Sequence, residues 1–285
     1  MINLVNYANS LYYDAQKLNT RTAYKFGVDK VYEYSFETLP KEFVEEHAEH
    51  FKHALGNGYW IWKPYIILDV LSKINYGDYL IYLDAGAAVV NSIKLLIDAM
   101  EAEGTDVMGF AITQREKCWS KRDAFIIMDC DNEEVTESAQ ICGGYIVIKK
   151  TEHSVNVVQK YYEYCKDFRI VSDEPSTLGK DYEGFVEGRH DQTVWSLLLK
   201  KEGIKPFRDP SEFGLNYNEF DPQILARSNY PQIVESHRSK NIRYSFELEY
   251  VRKKHPVTRV AWYIFRVCRK VRRVFCGLLG TLIIV

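Results

Sequence analysis

Polar residues that could bind an anion or a metal ion occur in four short segments of the chain. The segment DYLIYLDAG (78–86) is an apolar run that ends on Asp84, and the others are WIWKP (60–64), RHDQ (189–192) and SHRSKN (236–241). A carboxylate binds divalent cations, and basic side chains neutralise phosphate oxygens. An isolated Asp more often caps a turn, but the four segments together predict a site for a phosphate-bearing ligand.

The last of these segments carries three residues suited to phosphate and metal chemistry. His237, Arg238 and Lys240 follow a short apolar run at 232–234. A neutral imidazole can bind a divalent ion, and the two cations can face a diphosphate. The alternative is a surface loop with ordinary basic residues.

Lys63 follows Trp62 and directly precedes Pro64, which is typical of a helix start. A cation at a helix N-terminus gains nothing from the helix dipole, so a ligand with phosphate or hydroxyl groups is a better reason for Lys63 than helix stability. The paired tryptophans of this segment are more often core than ligand platform. In RHDQ, Asp191 suits a helix cap, whereas Gln192 is less natural there.

Alternating strand and helix patterns surround these segments and predict the fold. Strands are expected at 1–8, 30–35, 78–84, 106–112 and 143–150, and helices at 14–27, 39–55, 65–74, 92–104, 154–168 and 189–203. Repeated β-α units indicate an α/β fold with a mostly parallel sheet covered by helices, and ligands bind beyond the carboxyl ends of its strands. No GxGxxG or GxxxxGK[ST] loop is present, which argues against a dehydrogenase or a P-loop protein.

Composition indicates a globular protein rather than a nucleic-acid binder. The 285 residues are 46% hydrophobic and 27% charged, with a formal net charge of -2. The six cysteines form no CxxC or Cys/His cluster, and the N-terminus lacks the features of a signal peptide. These observations favour the cytoplasm.

The C-terminal segment, residues 251–285, differs from the rest of the chain. Residues 252–273 carry nine Lys or Arg and no Asp or Glu, and apolar residues recur there at three- and four-residue spacing. This pattern predicts a basic amphipathic helix on an anionic membrane surface. The final apolar run is twelve residues, short of the roughly 20 needed to span a bilayer. A packed terminal helix and a calmodulin-like partner are the alternatives.

Taken together, the segments resemble the nucleotide-sugar-dependent glycosyltransferases of the GT-A fold. The similarity rests on GYWIWKPYIILDVLSKINYGDYLIYLDAG (58–86), QICGGYIVIKKTE (140–152), RHDQTVWSLLLKK (189–201) and IVESHRSKN (233–241), in that order. It covers residues 1–250, the expected catalytic domain, and resembles bacterial enzymes of capsule, O-antigen or lipooligosaccharide synthesis. It implies transfer of a hexose-like sugar from a nucleotide-diphosphate donor to a glycan or lipid-linked acceptor, at the cytoplasmic face of the cell membrane.

The resemblance also implies roles for individual residues. Asp84 matches the first acid of the DxD motif, and Gly86 stands where its second acid is expected. Asp84 and His237 would hold Mn²⁺ or Mg²⁺, and Asp191 and Gln192 would act near the sugar. The positions expected to contact the donor are Trp62, Lys63, Asp84, Gly86, Gln140, Arg238 and Lys240.

The pairing of DQ with a late His is similar to retaining transferases. An inverting enzyme would need a general base, for which Asp191 or Asp123 could serve. Two other classes stay open from the sequence: a nucleotidyltransferase that makes a nucleotide-sugar, and a non-catalytic, membrane-tethered binding protein with a decayed site.

Overall fold

The computed structural model describes residues 1–238 and residue 240 of the chain. These residues form a compact unit, Met1–Lys240. The predicted tail (251–285) and the predicted domain end at residue 250 lie outside the described residues. Within the described part of the chain, no helix is long and apolar enough to cross a membrane.

The strands form one main sheet and two small ones. They are β1 (Ile2–Tyr7), β2 (Lys30–Tyr34), β3 (Tyr79–Leu83), β4 (Ala87–Val89), β5 (Val107–Met108), β6 (Phe110–Arg115), β7 (Ala139–Ile141), β8 (Tyr145–Lys149), β9 (Phe207–Arg208) and β10 (Val234–Ser236). The five-stranded main sheet has the order β2-β1-β3-β8-β5. Strands β2, β1 and β3 are parallel, and β8 runs antiparallel to both β3 and β5. The predicted α/β fold with a mostly parallel sheet is confirmed, with β8 as the reversed strand.

Helices fill the connections between the strands. They are α1 (Tyr13–Lys25), α2 (Lys41–Glu46), α3 (Ala48–Phe51), α4 (Gly56–Tyr59), α5 (Trp62–Lys73), α6 (Lys94–Ala102), α7 (Glu116–Trp119), α8 (Arg122–Ile127), α9 (Glu133–Thr136), α10 (Glu152–Cys165), α11 (Phe168–Val171), α12 (Asp191–Lys201) and α13 (Pro222–Arg227). Short 3₁₀ helices lie at Ser10–Tyr12, Phe36–Thr38, Glu212–Leu215 and Tyr217–Glu219.

Both faces of the main sheet are buried. Successive strand residues point to opposite faces, and Leu4 and Val5 of β1 accordingly belong to different hydrophobic clusters. Ile81 and Tyr82 of β3 divide in the same way. Burial on both faces explains why the central strands are almost continuously apolar.

Two predicted elements are divided in the structure. The helix expected over 39–55 is two short helices, α2 and α3, which meet at the non-helical His47. The strand expected over 106–112 splits at Gly109 into β5 and β6, which belong to different sheets. Helix α12 packs closely here, since a Cβ on Gly109 would lie 2.4 Å from Cδ1 of Leu199.

Three chain segments converge where β3 ends. The register pairs Leu83 with Tyr145, so the reversed strand β8 begins, rather than ends, beside Asp84. Strand β10 pairs with β4, and this places Arg238 against Gly86, whose carbonyl accepts a hydrogen bond from the Arg238 N–H at 2.8 Å. The sheet edge thus brings sequence-distant polar segments together.

Candidate active site

Two cavities lie at this edge of the sheet. The first cavity, of about 410 Å³, is lined by Asp84, the aromatic residues Tyr7 and Trp62, and the cation Arg238, among others. The second cavity, of about 450 Å³, is lined by charged residues that include Lys63, Asp173, Glu187, Arg189 and Asp191. The residues that line both are Trp60, Asp84, Gly144 and Gln192. Ligands in the two cavities would therefore meet at Asp84 and Gln192.

The Asp84 carboxylate is half exposed at the junction of the cavities. Its Oδ1 accepts a hydrogen bond from the Tyr82 hydroxyl at 2.6 Å. The Asp84 N–H donates to the Gly144 carbonyl at 3.0 Å, and the Asn19 amide donates to the Asp84 carbonyl at 3.1 Å. These bonds hold the backbone of Asp84 while its carboxylate faces solvent, as a ligand-binding group requires.

Lys63 is a buried cation between two carboxylates. Its Nζ lies 2.6 Å from Oδ2 of Asp191 and 4.0 Å from Oδ1 of Asp84, and it donates to the Gly143 carbonyl at 3.0 Å. Burial alone lowers the pKa of Lys63, but the adjacent Asp191 and Asp84 carboxylates raise it above its usual value. The Tyr161 hydroxyl also donates to Asp191, at 2.9 Å. Lys63 thus stays charged and offsets the repulsion between the two carboxylates.

A chain of hydrogen bonds that leads to the buried Glu116 sets the orientation of Gln192. Its Nε2 donates to Oε1 of Gln140 at 2.7 Å, and its Oε1 accepts from the Gly143 N–H at 3.0 Å. Nε2 of Gln140 in turn donates to Oε1 of Glu116 at 3.1 Å, and Lys200 pairs with the same carboxylate. Because an ionised carboxylate only accepts hydrogen bonds, Glu116 determines which way both amides point. Gln140 is buried, lines neither of these two cavities and contacts Gln192, so its predicted contact with the donor stays a prediction.

The segment GNGYW, residues 56–60, has positive φ at every residue. The values are 59° at Gly56, 51° at Asn57, 92° at Gly58, 53° at Tyr59 and 60° at Trp60. Left-handed backbone costs a non-glycine residue roughly 1–2 kcal/mol, and such strain clusters at functional sites. The turn presents the Trp60 ring to both cavities, directly over Gly56.

Trp62 follows this turn and stacks on Tyr7, with ring centroids 3.7 Å apart. Its Nε1 donates to the Gly56 carbonyl at 2.8 Å. Tyr7 is the last residue of β1, and Asp84 directly follows β3. A search for candidate residues at strand ends would therefore have found Tyr7 as well as Asp84. Trp62 is both a buried aromatic, as the alternative interpretation expected, and a wall of the first cavity.

The late basic segment reaches the first cavity in part. Arg238 is exposed and lines this cavity, with a positive φ of 50°. The Lys240 ammonium lies 5.4 Å from the centroid of the Tyr12 ring, another wall residue. His237 is buried and is not one of the residues that line either cavity.

Around Asp84, the part of the chain that the structure describes offers few ligands for a divalent cation. Among residues 1–238 and 240, no group of three His, Cys, Asp or Glu side chains could hold a metal ion. At Gly86, where a second acid was expected, a Cβ would lie 3.2 Å from Cα of Arg238. The predicted Mn²⁺ or Mg²⁺ site at Asp84 and His237 stays a prediction.

Known proteins similar to this chain are found only among solved structures. No family model matches it, and no curated protein does. The galactosyltransferase LgtC, in complex with donor and acceptor sugar analogues, is 14% identical with a TM-score of 0.46 over 82% of this chain and 86% of that one. Mouse xyloside xylosyltransferase 1 is 9% identical with a TM-score of 0.45 over 82% and 97%.

A further similar structure is a glycosyltransferase involved in glycosylation of the major capsid of PBCV-1. It is 14% identical with a TM-score of 0.44 over 87% of this chain and 98% of that one. Identities and TM-scores this low do not establish what this chain does.

Proposed function

We propose that this protein is a glycosyltransferase that moves a sugar from a nucleotide-diphosphate donor to a glycan or lipid-linked acceptor. The observation that carries the proposal is the pair of cavities that share Asp84 and Gln192. A transfer reaction needs two substrates held with their reacting atoms close together. Cavities of this size are typical of small-molecule sites.

The first cavity suits the donor. The stacked rings of Tyr7 and Trp62, with Tyr12 nearby, offer the aromatic surface that a nucleobase or a sugar ring would pack against. Arg238 supplies a cation for the diphosphate. The second cavity, with Asp173, Glu187 and Arg189, suits the hydroxyl groups of an acceptor glycan.

The chemistry of transfer accounts for the charges at the junction. As the bond from the anomeric carbon to the diphosphate breaks, positive charge grows on the sugar ring and negative charge on the leaving phosphate. Asp84 and the amide of Gln192 stabilise the ring, and Arg238 with Lys240 stabilises the leaving group. Asp191 contributes through Lys63, which it holds 2.6 Å away.

Retention of the anomeric configuration is part of the proposal. Asp191, one candidate base for inversion, is buried and engaged by Lys63 and Tyr161. Asp123, the other, is buried and accepts backbone N–H groups of Thr177 and Leu178. Both carboxylates already have structural partners, which favours retention over a mechanism in which either one deprotonates an acceptor hydroxyl.

Synthesis of a surface polysaccharide, such as capsule, O-antigen or lipopolysaccharide, is the biological setting we propose. The support for it is the sequence of the basic segment 252–285, which would hold the enzyme at the cytoplasmic face of the membrane. A lipid-linked acceptor lies in that plane, so membrane attachment raises its effective concentration.

A transfer assay tests the proposal. Uridine and guanosine diphosphate sugars are supplied to the full-length protein, with membranes from a host that makes lipid-linked glycans, and the anomer of the product is assigned by NMR. We expect transfer from one donor with the α or β configuration of that donor retained. Pyrophosphate release from a nucleoside triphosphate would instead indicate a nucleotidyltransferase, and absence of binding to every donor would indicate a non-catalytic protein.

A further inference from the structure

Gly86 occupies the position at which a second metal-binding acid would stand, and the backbone of Arg238 packs directly on it. The Arg238 N–H donates to the Gly86 carbonyl at 2.8 Å, and the β4–β10 pairing continues as far as Ser236. A Cβ at residue 86 would lie 3.2 Å from Cα of Arg238, a contact tighter than ordinary van der Waals packing. A side chain at residue 86 would therefore press on the Arg238 backbone, which would have to shift by a few tenths of an ångström.

This close packing places Arg238 at the edge of the first cavity. Arg238 is exposed there, and its backbone is held in the left-handed region at φ 50°. Burial lowers the pKa of the Arg189 guanidinium, and the positive charge of Arg238 adds to this effect. The carboxylate of Glu187, 3.2 Å from the Arg189 guanidinium, offsets part of this repulsion between the two guanidinium groups, and an anion bound near Arg238 would relieve more of it.

A second cation flanks the same cavity. The Lys240 ammonium lies over the Tyr12 ring at 5.4 Å from its centroid. Tyr12 and Arg238 both line the first cavity. A diphosphate in the cavity would accordingly be within the field of two exposed cations.

Asp84 by itself is a weak centre for a divalent ion. Its Oδ1 already accepts from Tyr82 at 2.6 Å and lies 4.0 Å from the Lys63 ammonium, which offsets its negative charge. Oxygen ligands from several residues normally surround Mg²⁺ or Mn²⁺. No group of three potential ligands occurs among the described residues.

We infer that Arg238 and Lys240 neutralise the diphosphate of the donor directly, in place of a divalent cation. The inference rests on the proposed function, because it concerns how the same cavity binds a nucleoside diphosphate. Guanidinium groups bind phosphate oxygens through paired hydrogen bonds, and an ammonium acts as a point charge. On this view, Arg238 packs close to residue 86 because that residue has no acidic side chain.

Calorimetry on the full-length protein tests the inference, with UDP and GDP as probes. Each titration is run once in EDTA and once in Mn²⁺, and we expect the Kd of the preferred nucleotide to agree within about twofold, since no metal bridge is lost. Arg238→Gln should weaken binding in EDTA by about ten- to a hundredfold, the worth of a hydrogen bond to a charged group. Arg238→Lys should retain most of the affinity, and Lys240→Ala should weaken it less than Arg238→Gln.

Lys94→Ala is the matched control, because Lys94 is an exposed lysine of α6 that pairs with Asp98. Its Kd should equal that of the unmodified protein. Gly86→Asp and Gly86→Ala form a second pair, in which both introduce a Cβ near Arg238 but only the first adds a carboxylate. Both should weaken binding in EDTA, and Mn²⁺ should not restore the affinity of Gly86→Asp. Urea denaturation of each variant identifies any that fails to fold.

The possible outcomes separate the inference from the proposed function. Binding of UDP or GDP only in the presence of Mn²⁺ overturns the inference and leaves a glycosyltransferase in place. Unchanged affinity in Arg238→Gln and Lys240→Ala also overturns it. Absence of binding to either nucleotide in both buffers, together with no transfer from any donor, overturns the proposed function itself.

Discussion

At the scale of single residues, the arrangement around Asp84 explains why certain side chains are placed as they are. Lys63 is buried yet charged because two carboxylates surround it, and it keeps Asp84 and Asp191 close despite their like charges. The Gln192 amide is oriented by Gln140, which is oriented by Glu116. Sequence reasoning found five of these six residues and missed Glu116, which lies in a polar stretch without a recognisable motif.

The role proposed for Asp84 gives a direct prediction. Asp84→Ala removes the exposed carboxylate while leaving the backbone bonds of residue 84 in place. We expect the rate of sugar transfer to fall by at least about a hundredfold, with an unchanged circular dichroism spectrum. Asp98→Ala, on the exposed face of α6, is the control and should be as active as the unmodified protein. Full activity of Asp84→Ala would refute the role.

The left-handed turn gives a second prediction, with a glycine of similar φ as its control. Gly56 and Gly104 have φ of 59° and 65°, but a Cβ on Gly56 would lie 2.1 Å from the Trp60 ring and one on Gly104 would meet nothing within 4 Å. Gly104→Ala should cost about 1–2 kcal/mol of unfolding free energy through backbone strain alone. Gly56→Ala should cost at least about 1 kcal/mol more, because the Trp60 ring must move.

Urea denaturation followed by circular dichroism measures both losses. Tryptophan fluorescence reports the displacement of Trp60, and donor binding should weaken in Gly56→Ala alone, since Trp60 lines both cavities. Equal losses of stability in the two variants, with unchanged fluorescence, would mean that the Trp60 ring is not packed on Gly56.

At the scale of secondary structure, short elements depend on tertiary contacts more than on their own sequence. Helix α3 is four residues long, far below the length at which an isolated helix is stable. Its His50 is buried, stacks on Phe168 of α11 with centroids 4.1 Å apart, and bonds to the Cys165 carbonyl that ends α10. The break at His47 lets α3 turn onto α10 and α11, which a single helix over 39–55 could not do.

The burial of His50 predicts a pH-dependent stability. Burial lowers the pKa of His50 to about 4, below the value of about 6.5 in an unfolded chain. Between these values the unfolded chain binds a proton that the folded chain does not, so the free energy of unfolding decreases as the pH falls from about 6.5 towards 4. The loss attributable to His50 is at most about 3 kcal/mol.

Urea denaturation at a series of pH values measures this effect. The control is His50→Gln, which retains a polar side chain but does not titrate. Groups distant from residue 50 affect both proteins alike, so the difference between the two curves reports His50 together with its repulsion of His47, whose ring centroid lies 5.4 Å away. Parallel curves for the two proteins would show that His50 does not resist protonation in the folded state.

At the scale of the whole molecule, a sheet buried on both faces leaves one edge for function. Helices cover the sheet, and the polar segments meet where β1 and β3 end and β8 begins. The basic segment 252–285 lies outside the described residues, and membrane association remains a prediction from its sequence.

A shortened chain that ends at Val251 tests this prediction. Loss of the basic residues beyond it should abolish sedimentation with anionic vesicles, since each such residue near an anionic surface contributes about 1 kcal/mol. Nucleotide binding should be retained. Neutral vesicles are the control, and binding of the full-length protein should weaken as salt is raised. Equal sedimentation of the two proteins would refute the attachment.

The amino-acid sequence by itself determined the order of strands and helices, the α/β class and the cluster of candidate residues. Hydrophobic periodicity and strand-end positions are local properties, so they can be identified from the sequence. They singled out Asp84, Trp62, Arg238 and Gln192, all of which line the first cavity, and the roles expected of these residues stay predictions.

Only the tertiary structure decided how those residues are used. The reversal of β8, which brings Gly144 beside Asp84, depends on pairing between strands far apart in sequence. The burial of His237 and the packing of Arg238 on Gly86 depend on where β10 joins the fold. Such contacts arise from long-range packing and hydrogen-bond geometry, which no local pattern encodes. These contacts place Arg238 beside Gly86, where the sequence comparison expected a second acid.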